Sequence, residues 1–157
     1  MFRRTLVLLV ALAPVVAFAA AGTVKGTITI NGKPKPLKYA YAWKDGANTT
    51  VLLSTEKVDE SAFGDHFALT KLAKDDKFAG VQATITPKGD VSTGTIYTAA
   101  EDGYFDVIGE FKFDKINISA SEIAGKLSVD KEHKFFKTAY AFSGDFTAPI
   151  GPEPKKK

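Results

Sequence analysis

The sequence predicts an all-β fold: a mainly antiparallel β-sandwich of about seven or eight strands with one short helix. Three observations carry this reading. Apolar residues recur at every second position over 23–30, 104–114 and 136–150, the period of a strand with one buried face. Turn chemistry separates the runs, at Asn31-Gly32, Asp45-Gly46, Pro87-Lys88-Gly89-Asp90 and Asp102-Gly103. Helical spacing occurs in a single stretch. The alternative topology is a curled, lipocalin-like barrel. Gly26, Gly80, Gly94, Gly109, Gly125 and Gly144 all fall inside predicted strands. Such glycines serve strong curvature, a close backbone approach, or a ligand lying on bare backbone.

The first predicted strand, 23–30, puts Val24, Gly26, Ile28 and Ile30 on one face. Asn31-Gly32 follows as a tight hairpin turn, since both residues tolerate positive φ. Pro34 and Pro36 are expected to delay the return strand. Leu37 to Lys44 then aligns Leu37, Tyr39, Tyr41 and Trp43 on one face. The other face carries Lys38, Ala40, Ala42 and Lys44, and is the one expected to meet water. A strand over 49–55 carries Val51, Leu52 and Leu53. The helix is expected over about Asp59–Ala73, capped by Asp59 or Ser61 and presenting Phe63, Phe67 and Leu72, with Gly64 weakening its start. Strands resume over 78–85 and 91–98. The run 104–114 reads as one strand, with Phe105, Val107, Gly109, Phe111 and Phe113 in phase. Ile116 and Ile118 fall on the opposite parity, so a bulge or break is expected near Asp114-Lys115. A strand over 122–129, a charged turn over 130–134 and a last strand over 136–150 complete the domain, 22–150. Residues 151–157 read as a disordered Lys-rich tail.

Residues 1–21 read as a secretory signal peptide. Arg3 and Arg4 precede an apolar run, Leu6 to Phe18, that ends in Ala-x-Ala sites at 17–21. The expected location is outside the cytoplasm, periplasmic or extracellular. No second long apolar run follows, so no stable membrane span is expected after cleavage. Cleavage removes both arginines of the chain and leaves 19 Lys against 18 Asp+Glu, a net charge of +1. A nearly balanced surface without arginine lacks the basic patch that nucleic-acid binding requires. With no cysteine in the chain, neither disulfides nor a thiol nucleophile is available. The core alone must stabilise the fold, which about 136 residues can do.

Catalytic signatures are missing. The chain has no Gly-x-Ser-x-Gly elbow and no glycine loop opening a helix to cradle phosphate, so no cofactor is expected. His66 and His133 are the two histidines, neither at metal-ligand spacing to another ligand. They are the weak metal candidates if the fold brings them together, and no metal is expected. Asn48-Thr49-Thr50 and Asn117-Ile118-Ser119 match the glycosylation acceptor pattern. The aromatics Tyr39, Tyr41 and Trp43, with Tyr97 joining them, are the candidate ligand-binding residues. They form either a platform for a sugar ring or small apolar ligand, or a packed core face with Trp43 buried.

The segments Leu37-Lys38-Tyr39-Ala40-Tyr41-Ala42, Val51-Leu52-Leu53-Ser54 and the closing Ala141-Phe142-Ser143-Gly144-Asp145-Phe146-Thr147-Ala148-Pro149-Ile150 resemble short exported bacterial β-proteins of uncharacterised function. The resemblance implies an envelope location and a compact β fold, and it transfers no catalytic residue. The expected function is therefore that of a non-enzymatic binding or interaction module in the cell envelope. Its partner would be a small apolar or sugar ligand or an envelope protein. The alternative is a hydrolase or metal-dependent enzyme.

Overall fold

The computed structural model describes residues 20–155. The signal-peptide reading falls mainly on 1–19 and, like Lys156 and Lys157, lies outside the described residues. The chain runs β1 (Thr23–Ile30), β2 (Lys33–Leu37), β3 (Tyr39–Asp45), β4 (Asn48–Ser54), α1 (His66–Lys74), β5 (Gly80–Ile85), β6 (Val91–Tyr97), β7 (Tyr104–Val107), β8 (Lys112–Ile118), β9 (Glu122–Ser128), β10 (His133–Phe135) and β11 (Thr138–Gly151). Short 3₁₀ turns lie at Glu60–Ala62 and Glu101–Gly103. Among the described residues no helix is long and apolar enough to cross a membrane.

The all-β expectation holds, with eleven strands rather than seven or eight. One half of the sheet orders its strands β3-β4-β5-β6-β7. The other half orders them β2-β1-β11-β9-β8, with β10 on the start of β11. The fourteen-residue β11 serves both halves. It pairs antiparallel with β1, β9 and β10, and its last residues pair parallel with β3 through Ile150↔Ala42 and Gly151↔Trp43. The sheet remains open, with β2, β7 and β8 as free edges, so the barrel alternative does not form. The two halves enclose one apolar core that includes Ile28, Phe142, Phe146 and Leu127 from one side, and Val51, Leu53, Val81, Ile96 and Phe105 from the other.

The extra strands have local causes. The hairpin turn at Asn31 (φ 49°) and Gly32 (φ 74°) forms as expected, and β2 starts directly after it. The prolines delay nothing. Pro34 and Pro36 oppose Thr29 and Thr27 on a strand that has only one neighbour. Alternate residues of such a strand turn their nitrogens outward, where the missing N–H costs no ladder bond. The single strand expected over 104–114 is cut into β7 and β8 at Gly109 (φ 76°). The cut lets Phe111 fold back over Gly94, where an added Cβ would lie 2.6 Å from the ring. Here a strand glycine makes room for close aromatic packing. The bulge is where the parity slip placed it: the β8–β9 register shifts between Asp114 and Asn117, with Lys115 at φ 54°. The last strand begins at Thr138, because Phe136 (φ 48°) is in the β10–β11 turn and 83% exposed.

Two further expectations are corrected. The stretch 59–73 is not one helix. Asp59 caps the first 3₁₀ turn through Ser61 N–H at 2.9 Å, and Asp65 caps α1 through Ala68 N–H at 3.0 Å. Between them Gly64 takes φ 71° and breaks the helical path. The shifted start turns Leu69 and Ala73 inward and leaves Phe67 at 84% exposed. The Ala40/Ala42 face of β3 does not meet water either. Both residues are buried in the main core, while Tyr41 and Trp43 are buried on the opposite side in a second cluster beneath α1. Leu37 belongs to the main core and so leaves the aromatic face. α1 therefore makes a third layer, and β3 is buried on both faces.

Candidate functional site

The helix-facing side of the β3–β7 half can be read from its register. Tyr39, Ser54, Gly80, Tyr97 and Tyr104 form one row across the strands. Tyr41, Leu52, Gln82, Thr95 and Asp106 form the next, and Trp43, Thr50, Thr84 and Thr93 the third. Helix α1 and Phe63 cover the apolar part of this surface, packing on Tyr41, Trp43, Leu52, Phe78 and Tyr97. Part of the polar surface borders a cavity of about 180 Å³. Thr50, Gln82, Thr84 and Tyr97 on the strands, Trp43 beside them, and His66 and Leu69 on the helix line it. Lys44, Asp45 and Glu153 line it as well.

The bonding inside the cavity is incomplete. Thr50 and Thr84 share a hydroxyl–hydroxyl hydrogen bond at 3.2 Å, and Thr50 Oγ1 reaches Asp45 Oδ2 at 3.5 Å. His66 Nδ1 and the Tyr97 hydroxyl share a hydrogen bond at 3.1 Å, and His66 Nε2 lies 3.5 Å from Thr70 Oγ1. Burial, with Asp106 and Tyr104 adding to it, pushes the Tyr97 phenol far above its ordinary range, so it stays a neutral hydroxyl. Gln82 Oε1 is buried with no hydrogen-bond partner among the described residues. An unmade bond of this kind costs about 1–3 kcal/mol, and a native structure that keeps such a group calls for a reason. Trp43 stacks on Phe63 with ring centroids 5.0 Å apart and planes 10° apart, so one indole face is already occupied.

The sequence-named residues divide between places. Trp43, Tyr97 and His66 meet at the cavity. Tyr39 and Tyr41 turn to a separate open groove beside Lys57 and Val58. There the Tyr41 hydroxyl accepts from the Val58 N–H at 3.1 Å, and burial raises its pKa. The four aromatics therefore do not make one platform. His133 lies elsewhere. Its Nδ1 is 3.2 Å from Glu110 Oε2 and its Nε2 3.0 Å from Asp130 Oδ1, and the Tyr140 hydroxyl donates to Glu110. The hydrogen bond from His133 holds the Asp130 carboxyl below its ordinary range, assisted by Lys112. This chain of contacts ties β10 and β11 to the loop between β7 and β8. The two histidines do not meet. Among the described residues no cluster of three or more His, Asp or Glu side chains could hold a metal.

Sequence reasoning missed Thr50, Gln82, Thr84 and Glu153. The strand residues did leave a signal, because they alternate with Val51, Val81, Ala83 and Ile85. Alternation marks a polar face, but a polar face looks the same whether water or a covered cavity adjoins it. No family model and no curated protein matches the chain.

Proposed function

We propose that the chain is an exported, non-catalytic binding module of the cell envelope, and that its ligand site is the cavity between α1 and the β3–β7 half of the sheet. The observation that carries this reading is the buried amide oxygen of Gln82, unpartnered among the described residues, in a cavity that also holds two threonine hydroxyls, the Tyr97 phenol and a tryptophan. The size favours a small guest. Ligand pockets for drug-sized molecules run to roughly 300–1,000 Å³, whereas about 180 Å³ accommodates on the order of a dozen water positions. The charged lining is of mixed sign, with Lys44 against Asp45 and Glu153, and favours no strongly charged ligand. A small uncharged molecule rich in hydroxyls fits: it donates to Gln82, exchanges hydrogen bonds with Thr50 and Thr84, and lays its apolar edge on Leu69 and Trp43.

The lining argues against catalysis in the same cavity. His66 has its Nδ1 engaged by a phenol whose raised pKa makes it a poor proton donor, and among the described residues it has no carboxylate partner to orient it. Export rests on Arg3-Arg4, the apolar run Leu6–Phe18 and the Ala-x-Ala sites.

Native mass spectrometry of protein recovered from its own host tests the reading. A small neutral adduct is expected on the wild-type chain and not on Gln82→Leu. Wild-type protein that carries no adduct, together with a cavity that takes up no hydroxylated compound from a small-molecule library followed by NMR, would sink it.

A further inference from the structure

The last strand runs one residue beyond its expected end at Ile150. Gly151 is the last residue of β11, buried and paired with Trp43. That pairing delivers the following residues to the cavity, where Glu153 and Pro154 are part of the lining. Pro154 sits directly on Gly64. A Cβ on Gly64 would lie 3.0 Å from Pro154 Cβ and 3.2 Å from its Cγ. Gly64 thus does two things: its positive φ ends the 3₁₀ turn before α1, and its bare Cα is the seat for the proline ring.

Little else holds this segment. Pro152 and Pro154 have no N–H, so the ladder cannot continue past Gly151. Among the described residues, 152–155 make no backbone hydrogen bond, and neither Glu153 nor Lys155 has an ion pair. Glu153 and Lys155 are exposed, whereas Pro154 is half-buried. A strand fixed at one end, one apolar seat and no ladder beyond it describe an element that opens locally at far lower cost than the sheet it leaves.

We propose that residues 152–155 are a strap across the cavity, that Glu153 is one of the groups the bound molecule meets, and that entry and exit require Pro154 to lift from Gly64. The purpose of the strap rests on the binding reading above, but its geometry does not. The test therefore needs no ligand. Trp43 is the sole tryptophan and lines the cavity, so acrylamide quenching of its fluorescence reads access to that space.

A chain ending at Gly151 should keep a cooperative melt and show a quenching constant at least about twofold higher than the full chain, since opening the strap exposes the indole. Pro154→Gly in the full chain should shift quenching in the same direction and decides the matter if the shortened chain does not fold. Quenching unchanged in folded Pro154→Gly protein overturns the strap and leaves the cavity reading intact. A quenching change in protein that retains no adduct removes the binding reading and leaves the strap.

Discussion

Replacing Trp43 by Ala is the most informative single perturbation, because the two sequence-level readings of this residue give opposite outcomes. The indole is 4% exposed and stacks on Phe63 at 5.0 Å. Truncating a buried tryptophan typically costs about 3–5 kcal/mol, part of it for the hole left behind. Trp43 borders a cavity that already exists, so water can enter much of the vacated space and the hole contributes less. The expected loss is therefore near the lower end, about 3 kcal/mol. Against a domain stability of roughly 5–15 kcal/mol that is large. Spread over the unfolding entropy of a domain this size, it lowers Tm by about 10 °C. Thermal and guanidinium melts of the two proteins measure it, with Trp43→Phe as the variant that keeps a ring against Phe63 and loses much less. The wild-type emission should be blue-shifted and poorly quenched by iodide. A Tm change below about 3 °C, or red-shifted and readily quenched emission, would refute burial and restore an exposed aromatic platform.

Gln82→Leu removes a buried amide oxygen that has no partner while nearly keeping the side-chain volume. It should raise stability by about 1 kcal/mol in chemical melts, and a loss of that size would mean that the amide is bonded in solution. Burial raises the pKa of Tyr41, Tyr97 and Tyr140, three of the five tyrosines. The folded state holds these protons more tightly than the unfolded state does, so their contribution is fully present below pH about 10 and is lost as pH rises beyond it. Absorbance titration should show three phenols ionising late and together with alkaline unfolding. Five phenols titrating as one reversible class in folded protein would contradict this. Phe136 combines a left-handed backbone with 83% exposure, so Phe136→Asn relieves strain without opening the core and should raise Tm. A fall in Tm would show that the ring's edge-to-face contact with Phe135, centroids 4.8 Å apart, outweighs the strain.

Local chemistry settled much of the fold before any contact was known. Asn31-Gly32 must turn because few other pairs accept positive φ twice. Gly89 at φ 91° reverses the chain after Pro87, and the parity slip after Phe113 requires an extra residue near Lys115. Alternation likewise separates Val51, Val81 and Ala83 from Thr50, Gln82 and Thr84. These rules act over two to four residues, and they determined that the chain is all-β with one helical segment.

What lies against each face was decided only by tertiary structure. Ala40 and Ala42 look like a water-facing row between lysines, yet the other half of the sheet covers them because β11 pairs with β3 and folds that half over. Asp59 and Asp65 are both competent caps, and where α1 begins depends on Gly64 turning away under Pro154. The polar row of Thr50, Gln82 and Thr84 becomes a cavity only when α1 on one side and Glu153-Pro154 on the other close around it. Those partners are distant in sequence, and periodicity reports a residue's parity along its own strand, never the identity of what packs on it.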